Sequence, residues 1–283
     1  MKPRPLTNAL LERLAGYRST WGLEADGSAF TTHSSVLQPT RRGAAPTMLK
    51  IPLHEEERRG GQALVLFSGH AAVRVLETDG DAIAMERLAD DQPLIPMAEA
   101  GRDDDATLIL CAAVRRLHAR QGPMPHDLPT LRGWFDALER QAGLGSAFQP
   151  LLAEAWFVAR PMIETPDRTL LLHGDIHHGN VLHDPARGWA AIDPKGIVGA
   201  RGYDYANMLC NPPGSIPRRP GRLKAQAQLV AAASEQTLEQ VLAWVFAYVG
   251  LSASWHLEDP WSEPEEVLAF LRLVRDAWAA EAT

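Results

Sequence analysis

The stretch LLHGDIHHGN, residues 171–180, places three histidines, an aspartate and an asparagine within ten positions. An apolar run ending at Leu172 leads into His173 and Asp175, and Asn180 opens a second apolar run, NVL. A third run, GWAAID (188–193), ends in Asp193. Short apolar runs of this kind separated by turn residues read as strands. A strand–turn–strand hairpin here is expected to bring Asn180 and Asp193 to one end, beside Asp175. Three oxygen-bearing side chains would then surround one point.

Phosphoryl transfer needs such a set. A carboxylate orients the proton of the attacking hydroxyl, while an amide oxygen and a second carboxylate hold Mg²⁺ against the phosphates. Mg²⁺ prefers hard oxygen ligands, which Asn180 and Asp193 supply and histidine does not. The interval from Asp175 to Asn180 and the leading His173 match the H-R-D-x-x-x-x-N loop of protein kinases. Three other readings compete. Histidines 173, 177, 178 and 183 suggest a transition-metal site, but 177 and 178 point different ways in any regular element, and no thiolate or spaced carboxylate completes the set. A two-metal phosphoesterase needs further Asp and His clusters, which the first third of the chain does not offer. A histidine-rich structural turn is the plainest alternative.

The bulk composition frames these readings. A chain of 283 residues, 46% hydrophobic and 22% charged, suits one large globular domain or two lobes. A net charge of −7 argues against a broad basic surface for nucleic acid. Cys111 and Cys210 sit among apolar residues and read as buried, reduced thiols. The first residues lack the apolar core of a secretory signal, and the longest apolar run, 242–251, is too short to span a bilayer. A cytoplasmic protein without membrane partners is expected. The sequence carries no signal for oligomeric state.

Outward from the central stretch, the first third reads as β-rich. Strands are expected within 29–39, 47–53, 72–80 and 81–88, a turn at 41–46, and a helix over 54–69 that Gly60 and Gly61 weaken. Residues 90–96 read as a link. Residues 103–120 form an amphipathic helix with acids first and bases last, as the helix dipole favours. Further helices are expected at 130–142, 148–163, 223–235, 236–256 and 264–281, with strands at 169–173 and 188–193. The fold class is therefore α+β and bilobal: a small β-rich N-lobe (1–88) and a larger, mostly helical C-lobe (89–283).

Lys50 is the one charge in the strand MLKIP. Such a lysine is commonly an edge residue reaching for water. Ahead of an acidic helix start, it also fits a lysine on nucleotide phosphates, held by Glu55, Glu56 or Glu57. No G-x-G-x-x-G occurs. Thr31-Thr32-His33-Ser34-Ser35 stands where a phosphate loop is expected, and its N–H and hydroxyl groups, Ser34 and Ser35 among them, suit phosphate without glycines. Glu86 to Leu88 opens the link, where backbone groups commonly meet adenine. The run SASWHLEDPWSEPEE (252–266) sets carboxylates beside tryptophans, which suits a guanidinium or ammonium acceptor; Trp255, Glu258 and Asp259 are its candidates. A solvated helix start explains the same acids.

These motifs together resemble the aminoglycoside/hydroxyurea antibiotic resistance kinase family, whose fold is similar to that of protein kinases. LLHGDIHHGNVL followed by WAAIDPKGIVGARGYDYANMLCNP carries the resemblance; PTMLKI, EERRGGQALVLFSGHAAVRVL and AIAMERL extend it over roughly residues 25 to 255. The resemblance implies an ATP- and Mg²⁺-dependent phosphotransferase acting on a small-molecule hydroxyl, such as one on streptomycin or hydroxyurea. It makes Asp175 the catalytic base, with His173 bracing the loop and Asp204 tying its backbone. Asn180 and Asp193 become the Mg²⁺ ligands, and Lys50, held by Glu57, the phosphate contact. Pro194 and Lys195 stand where protein kinases have Phe-Gly, which implies a standing site without activation-loop control. A metabolic sugar or amino-alcohol kinase, and a kinase-fold protein that binds nucleotide without turnover, remain the alternatives.

Overall fold

The computed structural model describes residues 5–119, 121–122, 124 and 127–282. In chain order the elements are α1 (Asn8–Trp21), β1 (Glu24–Ala25), β2 (Phe30–Thr31), β3 (Ser35–Arg42), β4 (Ala45–Pro52), α2 (Glu55–Phe67), β5 (Val75–Thr78), β6 (Ile83–Glu86), α3 (Leu94–Glu99), α4 (Asp103–Ala119), α5 (Leu131–Trp134), α6 (Asp136–Gly143) and α7 (Gln149–Glu164). Then come β7 (Thr169–Leu172), β8 (Val181–Asp184), β9 (Gly188–Ala191), β10 (Ile197–Ala200), α8 (Ala206–Leu209), α9 (Arg222–Ser234), α10 (Leu238–Glu258) and α11 (Glu265–Ala279). Two compact units result. The first runs to Gln92 and takes in Leu182–Gly196; the second comprises Pro93–Val181 and Ile197 onward. The first unit therefore ends four residues past the expected lobe boundary at 88, and it recruits the segment that carries Asp193.

The first unit is an antiparallel sheet in the order β1-β3-β4-β6-β5, with β2 also on β3. The expected turn at 41–46 tightens to Gly43 and Ala44, because β3 and β4 pair as far as Arg42 and Ala45. Lys50 is not an edge residue. It lies opposite Leu37 on one side and Ile83 on the other, in an interior strand. Helix α1 was not expected. Its signals are local: the Thr7 hydroxyl caps the Leu10 N–H at 3.4 Å, and Gly22 ends it in the left-handed conformation at φ 61°. Only Leu14 of α1 is buried, so the apolar periodicity is faint. Leu14 joins Leu23, Val36, Leu49 and Ile51 in one cluster, each side chain stabilising by about 1.5–3 kcal/mol on burial.

Helix α2 runs through Gly60 and Gly61 without a break. Both glycines are there for room. A side-chain carbon at Gly60 would overlap the Pro194 carbonyl oxygen, and one at Gly61 would strike Ile83. The helix penalty of glycine is small beside the packing it permits.

The second unit is built around α10, whose middle from Val241 to Ser254 is buried or half-buried on all sides and whose ends are exposed; it packs against α6, α7, α9 and α11. Helix α4 starts with Asp103, Asp104 and Asp105 and ends in Arg116 and His118, as expected from 103–120; Arg120 lies outside the described residues. The expected helix at 130–142 splits at Phe135, whose fully buried ring packs edge-on against Tyr203. Strand β10 was also unexpected. It pairs with β7 from Ile197↔Leu172 to Ala200↔Thr169. This two-strand ladder fixes where His173 emerges.

Candidate active site

In the first unit, three sequence-picked residues meet. Lys50 Nζ donates to both Glu57 Oε1 and Asp193 Oδ1. Lys50 and Glu57 are 8% and 6% exposed, so a neutral residue in place of Lys50 would leave the buried Glu57 carboxylate without its nearest countercharge. Burial works against the charged amine. The carboxylates of Asp193 and Glu57 outweigh it, and the Lys50 pKa stands above its ordinary value. Burial likewise opposes ionisation of Asp193, but Lys50, Glu57 and Lys195 hold its carboxyl below the usual range. Asp193 has a φ of 62°, in the left-handed region that aspartate tolerates better than most residues.

Ser35 and Ser34 differ from their expected use. The Ser35 hydroxyl donates to Glu57 Oε1 at 3.3 Å, a second support for that carboxylate which sequence reading missed. The Ser34 and Ser35 N–H groups both donate to Thr32 Oγ1, at 3.3 and 3.0 Å, so Thr32 closes the turn on itself. Beneath the turn lies a cavity of about 410 Å³. Leu37, Met48, Met85, Leu88, Leu182 and Ile192 give it apolar walls; Lys50 and Asp193 give it a charged end. Glu86 and Leu88 both line it, but the Glu86 side chain is engaged elsewhere, by the Arg74 N–H at 2.7 Å and by Arg187.

In the second unit, Asp204 is the organising residue. It is 2% exposed. Its Oδ1 accepts the Gly174 N–H at 2.7 Å, and its Oδ2 accepts the His173 N–H at 3.0 Å and His118 Nε2–H at 2.8 Å. Burial opposes its charge, yet these donors keep its pKa lowered. Gly174 takes φ 83°, which a bulkier residue would adopt only under strain. The buried His173 ring accepts the Asp175 N–H at Nδ1, 3.3 Å away. Asn180 Nδ2 donates to the Asp175 carbonyl at 3.0 Å and faces Asp175 Oδ2 at 3.4 Å. Asn207 Nδ2 donates to Asp175 Oδ1 at 2.7 Å. Asn207 was missed; its signal was an amide three positions after Asp204 in GYDYAN.

Asn207 also lines a cavity of about 550 Å³, with Arg218, Tyr248, His256, Glu263 and Glu266 on its wall. Of the acidic run 252–266, this cavity takes Glu263 and Glu266. The three favoured candidates are engaged elsewhere. The Trp255 ring packs edge-on to Trp134, Glu258 pairs with Arg140 at 3.0 Å, and Asp259 accepts the Trp261 N–H at 3.0 Å.

The histidines of the central stretch have local uses. His177 Nδ1 accepts the Gly179 N–H at 3.0 Å; His183 bonds Asp91 at 2.6 Å and packs on Trp189. His178 is buried, and burial first, then Arg222, pushes its pKa down to about 4. Among the described residues, no three His, Cys, Asp or Glu side chains group to hold a metal ion. The oxygens of Asn180 and Asp193 are hard donors of the kind Mg²⁺ takes. With Asn180 Nδ2 committed to Asp175, its amide oxygen is the atom left for a cation.

A β-rich unit holding a Lys–Glu–Asp cluster, and a helical unit holding an Asp–Asn loop fixed by a buried carboxylate, define a phosphotransferase of protein-kinase-like fold. The chain is similar in structure to a thermostable mutant of aminoglycoside phosphotransferase APH(4)-Ia in ternary complex with ADP and hygromycin B, with TM-score 0.62, 16% identity, and coverage of 93% of this chain and 96% of that one. The family model for aminoglycoside/hydroxyurea antibiotic resistance kinases matches residues 20–260, and the chain belongs to that family. It is 42% identical over 244 residues to a streptomycin 3''-kinase from Klebsiella pneumoniae, covering 84% of this chain and 90% of the relative. It is 30% identical over 268 residues to a hydroxyurea phosphotransferase from Kitasatospora aureofaciens, covering 90% and 76%. The chain is accordingly an ATP-dependent small-molecule phosphotransferase. Among the described residues, no helix is long and apolar enough to cross a membrane.

Proposed function

We propose that the enzyme transfers the terminal phosphoryl group of ATP to a hydroxyl of a cationic aminoglycoside of the streptomycin type. The observation that carries this reading is the second unit's cavity, which has Glu263 and Glu266 on its wall and includes Asn207, the residue that holds the Asp175 carboxylate. Glu266 already pairs with Arg218 at 3.0 Å, so Glu263 is the acid that gives a guanidinium or ammonium group a charge-assisted partner there. Hydroxyurea, small and neutral, needs neither acid. The similarity to a streptomycin 3''-kinase supports the same acceptor class.

In this reading Asp175 orients the acceptor hydroxyl and receives its proton. Asn180 and Asn207 fix the carboxylate by donating to its two oxygens and its backbone. Lys50 sets its charge against the nucleotide phosphates, with Glu57 and Ser35 holding it in place. The cavity under β3 and β4 takes the base, with Glu86 and Leu88 at its edge. His173 and Asp204 hold the loop. Asn180 in the second unit and Asp193 in the first each offer a hard oxygen to Mg²⁺, which would supply charge neutralisation to the phosphates when bound.

Mass spectrometry of a panel containing streptomycin, hydroxyurea and common metabolic alcohols tests the acceptor. Streptomycin should gain one phosphoryl group in the presence of ATP and Mg²⁺. Phosphorylation of a neutral alcohol in preference to streptomycin defeats the reading. Asp193→Ala should lose the Mg²⁺ dependence of ATP binding; an unchanged dependence removes that residue from the metal.

A further inference from the structure

The segment after Asp193 is tied to α2 at two points. Gly60 leaves room for the Pro194 carbonyl against the helix. One residue on, Lys195 Nζ lies 3.0 Å from Glu56 Oε1 and 3.8 Å from Glu57 Oε2. Left-handed backbone at Asp193 (φ 62°) and Gly196 (φ 66°) brackets this Pro-Lys pair, and proline adds a fixed φ of its own. The chain turns sharply there, which points the lysine back at the helix that carries Glu57.

The Glu57 carboxylate is thereby divided. Its Oε1 receives Lys50 and Ser35, and its Oε2 faces Lys195. The cluster comprises the carboxylates of Glu56, Glu57 and Asp193 and the ammonium groups of Lys50 and Lys195. Without Lys195, Lys50 would be the ammonium left between the Glu57 and Asp193 carboxylates. Glu57 and Asp193 would then hold Lys50 more tightly, with Glu57 Oε2 left without its second ammonium.

We propose that Lys195 is a positioning residue for phosphoryl transfer: by holding Glu57 Oε2 and anchoring the Asp193 segment to α2, it keeps Lys50 available to nucleotide phosphates. The inference rests on Lys50 being the phosphate contact. It gives a physical basis for a standing site, since α2 and the Asp193 segment are fastened by side-chain charge and close backbone packing.

The Lys195 side chain is 23% exposed, so removing its charge opens no sealed cavity. Calorimetric binding of ADP without Mg²⁺, thermal melts and steady-state kinetics with ATP test the role. Lys195→Met should weaken ADP binding by roughly five- to tenfold and raise KM for ATP in parallel, with the melting temperature nearly unchanged. Lys195→Arg should restore both. In a Glu57→Gln background, Lys195→Met should add little. A lowered melting temperature with unchanged ADP affinity makes Lys195 a structural tie only and overturns the proposal. If Lys50→Met and Glu57→Gln weaken ADP binding while Lys195→Met does not, the proposal fails and the reading of Lys50 stands. If none of the three changes binding, the reading of Lys50 fails as well.

Discussion

The two units hold their polar residues by different means. In the first, Lys50 is shared between Glu57 and Asp193, so side-chain charges hold one another. In the second, Asp204 accepts two backbone N–H groups and one imidazole N–H, so a side chain holds the main chain. The contrast suits the proposed roles of the two sets. Groups that contact a nucleotide must exchange partners when it arrives, and ion pairs between flexible side chains permit this. A base that must stay on one hydroxyl is better placed on a backbone with no alternative partner.

The largest break in this contrast comes at Asp175. Asp175→Asn keeps the shape of the loop and removes the proposed proton acceptor. Turnover should fall by about 10²–10⁴-fold, the range for a positioned general base. ATP binding, assigned to the first unit, should stay close to wild type. Calorimetry beside single-turnover kinetics separates the two, and a parallel loss of ATP affinity would show that the loop also serves the nucleotide.

Asp204→Ala should come next, acting on stability first. It strands the His173 and Gly174 N–H groups and His118 in a buried position, and about 3 kcal/mol of unfolding free energy should be lost at neutral pH. The sign with pH is fixed. The folded carboxyl lies below its ordinary value of 3.8, so its ionic contribution is complete above that pH and disappears as the pH falls through the folded value. Denaturant melts of wild type and variant should therefore converge in acid. In the first unit the opposite limb matters as well: the Lys50 contribution is complete below its ordinary value of 10.5 and is lost as the pH rises through the higher folded one. A gap at Asp204 that widened in acid would contradict the assignment.

Ser35→Ala should have a milder effect. Removing one buried hydroxyl donor from Glu57 should lower stability by about 1 kcal/mol. If Ser35 supports Glu57, KM for ATP should rise a few-fold with turnover nearly unchanged, and Lys50 should remain charged. A large fall in turnover would return Ser35 to direct phosphate contact, the role its place in the chain first suggested.

What the sequence revealed and what it hid divide along physical lines. Lys50, Asp175, Asn180 and Asp193 interrupt or bound short apolar runs, and an interruption is visible in one dimension; Glu57, one of three consecutive glutamates, and Asp204 are singled out by the family resemblance. Ser35, Asn207 and Lys195 act by reaching residues far along the chain or behind a first layer, and a single sequence does not show those partners, even where, as for Asn207 in GYDYAN, it offers a polar residue close to a chosen one. The same limit explains α1 and β10. One buried side chain in fourteen residues gives little periodicity, and a four-residue strand broken by Gly199 gives less. Gly60 weakened a correct helix expectation for the opposite reason: its helix penalty is a local property, whereas the Pro194 carbonyl it admits is a tertiary one.

The smallest effect is expected at Glu258. Its run of acids beside tryptophans suits a cationic acceptor on composition, but its carboxylate is held by Arg140 through contacts of 3.0, 3.1 and 3.3 Å, with side chains 34% and 59% exposed. Such a pair stabilises by about 0.2–1 kcal/mol, less at high salt. Glu258→Ala should change the melting temperature little and leave KM for streptomycin close to wild type. Glu263→Gln, on the cavity wall with Asn207, should raise that KM several-fold while KM for ATP holds. Comparing the two variants on one acceptor separates an acid that is merely near tryptophans from one that faces the cavity. If Glu258 proved the stronger of the two, the acceptor would engage the outer face of α10, and the cavity would lose its claim to the substrate.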